Sequence, residues 1–140
     1  MVKHKLDVVL ASVPLFEGLS KRHLKQIAAL ATVDHYMEGA TIVKEGDPGD
    51  SFFVVLSGQA KVVVRKRTVN RILPGDHFGE ISLLDGEPRS ASVISETPMI
   101  VTSIGRKGFE RLLRDDPVLS MAMLRTLAKR LRTVRKDAGK

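Results

Sequence analysis

The sequence contains no cysteine, no tryptophan and only one tyrosine in 140 residues. Without cysteine the chain can form neither disulfides nor thiolate metal sites, so its core must rest on apolar packing. A hydrophobic content of 43% over this length suits one globular domain. No apolar run approaches the roughly 18 residues that span a bilayer, and the N-terminus lacks the apolar stretch of a signal peptide. We therefore expect a soluble, cytoplasmic protein without direct membrane insertion.

Aromatic residues are also scarce, and acidic residues are outnumbered by basic ones. The 23 Lys and Arg outnumber the 16 Asp and Glu, which gives a formal charge of +7, while aromatic residues make up 4%. A basic chain invites a nucleic-acid interpretation. However, single-stranded bases stack on aromatic side chains interleaved with basic ones, and this chain lacks that pattern. We expect no nucleic-acid partner, and we expect the positive field to attract a small anionic ligand.

Helical periodicity is confined to the two ends of the chain. Apolar side chains recur at spacings of three and four in four segments: residues 6–12, 21–32, 109–113 and 118–135. Ser20 is a favourable N-cap for the second segment, and Pro117 suits the first turn of the last one. These signals predict helices at the N-terminus and two further helices at the C-terminus.

The middle of the chain reads as short β-strands separated by glycine-containing turns, which is typical of a β-roll, barrel or sandwich. Residues 51–56 and 59–65 are predicted to pair as a hairpin across Ser57-Gly58. Because side chains alternate along a strand, Ala60, Val62 and Val64 are predicted to share the inward face.

The most informative segment has the sequence FGEISLLDGEPRSASV, residues 78–93. Gly79 precedes a short run compatible with a helix, whose N-terminus would favour an anion. Arg89 can bind phosphate oxygens through two parallel hydrogen bonds. Glu80 only accepts hydrogen bonds, which suits a sugar hydroxyl. The pair predicts a nucleotide site, although an ordinary surface ion pair is compatible with the spacing alone.

This segment resembles the phosphate-binding cassette of cyclic nucleotide-binding domains, particularly those of bacterial cyclic nucleotide-gated potassium channels and catabolite-activator-like regulators. The resemblance implies that Glu80 binds the ribose 2′-hydroxyl and Arg89 the cyclic phosphate. Backbone N–H groups of Gly79, Ile81 and Ser82 would complete the anion site. Ser90 matches a position whose side chain often reaches the phosphate or the purine.

The resemblance extends over nearly the whole chain and implies an α+β fold, with a jelly-roll-like β-roll, N-terminal helices, an inserted cassette helix and two C-terminal helices. The implied single domain (1–140) comprises N-terminal helices (1–32), a β-roll (33–104) with its cassette (78–93), and C-terminal lid helices (105–136). Val62 and Val64 would line the purine wall. Arg130 and Val134 match positions at which some family members cap the purine. Ligand binding would close the last helices over the roll, with a hinge at residues 115–117.

The resemblance implies a non-catalytic sensor of cAMP, or less favourably cGMP, that acts on an effector domain or partner protein not visible in this chain. Three alternatives stay open. A cupin-like metal enzyme shares the architecture, but the four histidines include no His-x-His pair, so we expect no metal. A DNA-binding regulator would need a helix-turn-helix after the last helix. A degenerate scaffold would bind nothing, against which the intact Glu80 and Arg89 argue.

Overall fold

The computed structural model describes residues 2–139 and the side chains of residues 6–135. These residues form five α-helices: α1 (Val2–Ala11), α2 (Lys21–Ala28), α3 (Ser82–Asp85), α4 (Arg106–Asp115) and α5 (Pro117–Gly139), with a 3-10 turn at Pro14–Phe16. The described part also contains eight strands: β1 (Thr32–Tyr36), β2 (Thr41–Val43), β3 (Ser51–Ser57), β4 (Ala60–Val64), β5 (Arg67–Ile72), β6 (His77–Phe78), β7 (Ser92–Ser95) and β8 (Met99–Gly105). The chain divides into two compact units. A strand unit comprises Leu30–Glu110, and a helical unit comprises the chain up to Ala29 and from Arg111 onward.

The strand unit is built from two four-stranded antiparallel sheets. One has the order β1-β8-β3-β6, and the other has the order β2-β7-β4-β5. Apolar side chains from both sheets form its core, which contains Phe53, Val55, Ala60, Ile72, Val93, Met99 and Val101. The predicted fold class, an α+β protein with a jelly-roll-like β-roll and helices before and after it in the chain, is confirmed.

The predicted hairpin between residues 51–56 and 59–65 is wrong. Strand β3 pairs with β8 and β6 in one sheet, whereas β4 pairs with β5 and β7 in the other. Gly58, at φ +82°, carries the chain from one sheet to the other, and a Cβ there would overlap the Pro98 carbonyl oxygen. The actual hairpin joins β4 to β5 through Arg65 and Lys66, which adopt φ values of 50° and 68°. Neither residue is a glycine or asparagine, so the sequence carried no turn signal there.

Strand β4 follows the predicted alternation only in part. Ala60 is fully buried and Val62 packs against the core, as predicted. Val64 is half-buried and pairs with Arg67 in the last rung of the hairpin. The inward face of β4 is therefore shorter than the alternation of its residues indicated.

Helix α2 is shorter than predicted. Its N-cap is Ser20, whose hydroxyl accepts a hydrogen bond from the His23 N–H at 3.1 Å, as the sequence indicated. The helix ends at Ala28 instead of continuing to Thr32, which is the first residue of β1. The apolar residues Leu30 and Ala31 fit the helical spacing, but they lie in the connection to that strand.

Helix α5 begins at Pro117, as predicted, and Asp116 receives a hydrogen bond from the Leu119 N–H at 3.1 Å. Its first turns bury Leu119 and Met123 within the described structure. The rest of the predicted apolar stripe is mostly exposed, including Leu124, Leu131 and Val134. None of the described helices is long and apolar enough to cross a membrane.

Candidate ligand-binding site

A pocket of about 400 Å³ opens in the strand unit. One wall is apolar and is formed by side chains from five strands, β2, β4, β5, β7 and β6: Val43, Val62, Ile72, Val93 and Phe78. The rest of the lining comes from the loop between β6 and β7, which contributes Gly79–Ser82, Asp85 and residues 87–91. The pocket thus combines an apolar wall with a polar loop, which is the usual composition of a small-molecule site.

The loop reaches its shape through two glycines. Gly79 adopts φ +85°, and a Cβ at this position would meet Arg89 Nη1 and the Ser51 carbonyl oxygen. Gly86, at φ +64°, ends helix α3 in the left-handed conformation. Between them Leu83 is fully buried and anchors the helix. The first glycine therefore lets the arginine approach the backbone closely.

Arg89 is the buried cation of the site, with a relative exposure of 9%. Its backbone is fixed by hydrogen bonds in both directions, from its N–H to the Asp47 carbonyl (2.7 Å) and from the Gly46 N–H to its own carbonyl (2.9 Å). Its Nη2 donates to the Ser51 carbonyl oxygen at 2.8 Å, and the guanidinium carbon lies 5.7 Å from the centre of the Phe53 ring. These contacts hold the planar guanidinium of Arg89 in one orientation before any ligand binds.

The electrostatics around Arg89 favour an anion. In the part of the chain with described side chains, the ion pairs within 4 Å involve other residues, so no described carboxylate neutralises this guanidinium. Burial lowers the pKa of Arg89 from its ordinary value, and the charge of Asp50 partly offsets that effect. An arginine stays protonated at neutral pH even so. A buried positive charge thus lines the pocket without a paired acid.

Glu80 also lines the pocket, and its carboxylate oxygen Oε2 lies 3.2 Å from Nδ1 of His77. The alternative that the spacing left open, an ion pair between Glu80 and Arg89, does not occur among the ion pairs of the described side chains. Instead, the acid contacts a histidine and the arginine contacts backbone. Sequence reasoning gave His77 no role in the site, although its position three residues before Glu80 placed it within reach of the carboxylate.

Comparison with known proteins decides the family. A family model described as the cyclic nucleotide-binding domain matches residues 33–116. The chain belongs to the cyclic nucleotide-binding domain family. The predicted resemblance is therefore confirmed.

Relatives and solved structures support the assignment. A cAMP-dependent protein kinase regulatory subunit from Colletotrichum orbiculare is 42% identical over 106 residues, which cover 74% of this chain and 27% of that protein. A cGMP-dependent protein kinase from Toxoplasma gondii is 41% identical over 74% of this chain and 10% of its own length. The chain thus spans about a quarter or less of these curated relatives. The solved N-terminal domain of a transcriptional regulator from Streptomyces coelicolor A3(2) superposes with a TM-score of 0.84 at 31% identity, covering 94% of this chain and 97% of that one.

The cyclic nucleotide-binding cassette uses some of its own polar groups internally. The N–H of Ser82 donates to the Gly79 carbonyl at 3.1 Å, and the Ser82 hydroxyl accepts from Arg89 Nη1 at 3.4 Å. Ile81 and Ser90 line the pocket with exposed side chains. The structure therefore brings all six predicted cassette residues to one pocket, while the Ser82 N–H is already engaged within the turn.

The predicted wall and cap residues are divided among different places. Val62 lines the pocket wall, and among the described lining residues Val64 is not represented. Arg130 and Val134 line a cleft within the helical unit, where Arg130 Nη2 lies 3.4 Å from Glu17 Oε2. Their predicted role as a purine cap stays a prediction.

No cluster of three His, Asp or Glu side chains that could hold a metal ion occurs among the described residues. A cupin-like metal centre would need such a donor set. The polar side chains that line the pocket are the Arg89 guanidinium, the Ser82 and Ser90 hydroxyls, and the carboxylates of Glu80, Asp85 and Glu87. A guanidinium and hydroxyls suit a phosphate, and a carboxylate suits a sugar hydroxyl.

Proposed function

We propose that this chain is a regulatory domain that binds cAMP in the pocket of its strand unit and transmits binding through helix α5. The observation that carries the proposal is Arg89, a buried guanidinium lining a pocket with no described carboxylate within 4 Å. A buried charge without a partner is costly, and a bound anion relieves that cost. The cyclic phosphate supplies a single negative charge of the right geometry for the fork.

The remaining cassette groups would complete the recognition. Glu80 accepts a hydrogen bond from the ribose 2′-hydroxyl, because a carboxylate offers no donor to the phosphate. Backbone N–H groups of Gly79 and Ile81 would donate to the phosphate oxygens, and the Ser82 and Ser90 hydroxyls are able to do so as well. The purine then packs on the apolar wall that includes Val62.

A second part of the proposal concerns the purine cap. Arg130 and Val134 would cover the base, with Arg130 stacking on it through its planar guanidinium. Arg130 contacts Glu17 at 3.4 Å, and their side chains are 46% and 73% exposed. An exposed pair of this kind contributes about 0–1 kcal/mol, so a ligand can displace it. Replacing Glu17 with Gln should then leave affinity unchanged or slightly raised, whereas Arg130→Ala should lower it.

The proposed role is regulatory and non-catalytic, exerted in the cytoplasm on an effector domain or partner protein, with no metal and no nucleic acid involved. The two curated relatives are named for cAMP and for cGMP and differ by one point in identity. Both names favour a cyclic nucleotide over other anions, but together they do not distinguish a preference for adenine from one for guanine. We propose cAMP as the preferred ligand.

Isothermal titration with cAMP, cGMP and AMP tests the proposal. We expect cAMP to bind more tightly than cGMP. AMP should bind much more weakly, since its linear phosphate carries a second charge and lacks the ring that fixes its geometry. Thermal unfolding gives an independent reading, because a ligand at 100 times its dissociation constant stabilises the folded state by about 2.7 kcal/mol. Failure of both cyclic nucleotides to bind would overturn the proposal.

Closure is tested by amide hydrogen exchange of residues 118–135 with and without cAMP. Closure over a bound ligand should slow exchange there, with the change in geometry absorbed at residues 115–117, between α4 and α5. The Arg89→Met variant, expected to lose binding, serves as the control for direct effects of the nucleotide. Unchanged exchange at saturating cAMP would refute closure while leaving the binding proposal intact.

A further inference from the structure

The imidazole of His77 contacts the carboxylate of Glu80. His77 Nδ1 and Glu80 Oε2 are 3.2 Å apart, and each side chain is 23% exposed. An ionised carboxylate only accepts hydrogen bonds, so the proton in this contact belongs to Nδ1, in the neutral tautomer or in the imidazolium. His77 therefore donates to one oxygen of the acid that lines the pocket.

The surroundings of His77 hold this donor in place. The residue lies in β6, where its backbone pairs with Val54 of the neighbouring strand β3. Its ring packs against Phe52, with centroids 5.8 Å apart and planes inclined by 57°. Phe52 is itself fully buried. Backbone and ring are thus both restrained, which leaves Nδ1 directed at the carboxylate.

Glu80 by contrast lies where the backbone alone gives little restraint. It follows Gly79, at φ +85°, and precedes the four-residue helix α3. A glutamate side chain has three rotatable bonds and loses considerable rotamer freedom when it is fixed. A donor that fixes one carboxylate oxygen in advance reduces the entropy lost when a ligand hydroxyl binds the other.

We propose that His77 is a positioning residue that sets the preference of this pocket for a ligand with a ribose 2′-hydroxyl. The inference rests on the proposed function, in which Glu80 receives that hydroxyl. His77 itself lies outside the described pocket lining, whereas Phe78 and Glu80 on either side of the turn belong to it. It therefore acts on the ligand through Glu80. A site arranged to bind a hydroxyl discriminates strongly against an analogue that lacks it, because the hydrogen bond to that hydroxyl is then lost.

Two variants separate the donor from the ring. His77→Phe keeps an aromatic ring against Phe52 but removes the donor. His77→Asn removes the ring but places an amide nitrogen near the position of Nδ1. His35→Phe is the matched control, because His35 lies exposed on β1 in the same sheet. For each full-length variant, titration calorimetry gives the dissociation constants of cAMP and 2′-deoxy-cAMP, and their ratio is the 2′-hydroxyl preference.

We expect the preference to fall about fivefold to tenfold in His77→Phe, which lies within the range for the net loss of one ordinary intramolecular hydrogen bond. The affinity of this variant for 2′-deoxy-cAMP should stay within about twofold of wild type, since the phosphate contacts are untouched. His77→Asn should retain most of the wild-type preference even where loss of the ring lowers its melting temperature. His35→Phe should match wild type.

The possible contrary results are distinct. A wild-type preference in His77→Phe would overturn the positioning role, and so would an equal loss of affinity for both ligands in both variants, which marks a purely structural residue. If wild type bound cAMP and 2′-deoxy-cAMP equally tightly, Glu80 would not bind the 2′-hydroxyl and this inference would be wrong. The proposal that the pocket binds a cyclic nucleotide would be unaffected. Only the absence of any cyclic nucleotide binding by wild type would refute the proposed function itself.

Discussion

Replacing Arg89 with methionine should nearly abolish ligand binding while leaving the fold intact. Arg89 is 9% exposed and its guanidinium lies among Ser51, Ser82 and Phe53, so a change to alanine would also open a cavity. Methionine keeps a long flexible side chain and removes the charge and the fork. The variant thus isolates the electrostatic role of the residue.

The expected loss of ligand-binding free energy is larger than the expected loss of folding stability, because different contacts are lost in the two cases. Truncating one partner of a buried charge pair costs about 2–5 kcal/mol of binding, which corresponds to a rise in the dissociation constant of about 30-fold to 5,000-fold. In the free protein the variant loses the hydrogen bonds to the Ser51 carbonyl and the Ser82 hydroxyl, about 1.5–3 kcal/mol each for a charged donor, with the longer Ser82 contact at the weak end. Removing a desolvated cation without a paired acid offsets most of that loss, since the desolvation penalty is itself several kcal/mol. The free energy of unfolding should therefore change by less than about 2 kcal/mol.

Titration calorimetry with cAMP gives the first quantity, and urea unfolding without ligand gives the second. Arg71→Met is the matched control, since it makes the same charge change at a side chain that is 55% exposed and paired with Glu96 outside the pocket. The control should bind cAMP within about twofold of wild type, apart from a small general effect of net charge. If Arg89→Met bound cAMP within threefold of wild type, Arg89 would have no role in holding the phosphate.

Three further predictions follow from the same geometry. Gly79→Ala should lower both stability and cAMP affinity, because a left-handed φ costs about 1–2 kcal/mol and the Cβ displaces the arginine, whereas Gly75→Ala, also left-handed but in open space, should lower stability alone. The pKa of Glu96 is lowered by hydrogen bonds from Gln59 and Arg71. The ionised Glu96 therefore stabilises the fold above the ordinary glutamate range, near pH 4.3, and this stabilisation is lost as the pH falls below that range. In urea titrations between about pH 6 and pH 3, Glu96→Gln should thus lose less stability than wild type. Asp116→Ala should cost about 1 kcal/mol in urea unfolding by removing the N-cap of α5, and Asp116→Asn should retain it.

Each of these has a clear contrary result. Equal effects of the two glycine variants on affinity would show that the close approach at Gly79 is unimportant. Parallel pH profiles for wild type and Glu96→Gln would show that its contacts do not favour the ionised form. An Asp116→Asn variant as unstable as the alanine variant would assign the effect to the His23 contact, 3.5 Å from the carboxylate, instead of the cap.

The cassette was predictable because its chemistry is local. Gly79, Glu80 and Arg89 lie within eleven residues, and the loop that joins them needs only one glycine turn and one helical turn to bring them to a single pocket. The same holds for the cap at Ser20 and the start of α5 at Pro117, which depend on neighbouring residues. Their physical causes act over one or two turns of chain, so the sequence carries them directly.

Strand pairing was not predictable in the same way. The apolar and β-branched residues in 51–56 and 59–65 indicate two strands but do not choose their partners, and adjacency favoured a hairpin that does not form. The predicted end of α2 was wrong for a related reason. Leu30 and Ala31 fit the helical spacing, but the pairing of Thr32 with Ser103 begins a strand at Thr32. In both cases contacts between distant residues override the local preference.

The sequence by itself therefore determined the kind of site, an arginine, an acid and a glycine turn suited to a phosphorylated sugar, because those requirements are met within one segment. The tertiary structure decided what that segment faces. It buried Arg89 against the Ser51 carbonyl, contributed by β3 from 38 residues away, and supplied most of the apolar wall from strands of the opposite sheet, with Phe78 of β6 added. It also brought the His77 imidazole, and not the Arg89 guanidinium, into contact with the Glu80 carboxylate. Burial and long-range pairing fix these features, and neither can be calculated from the spacing of residues along the chain.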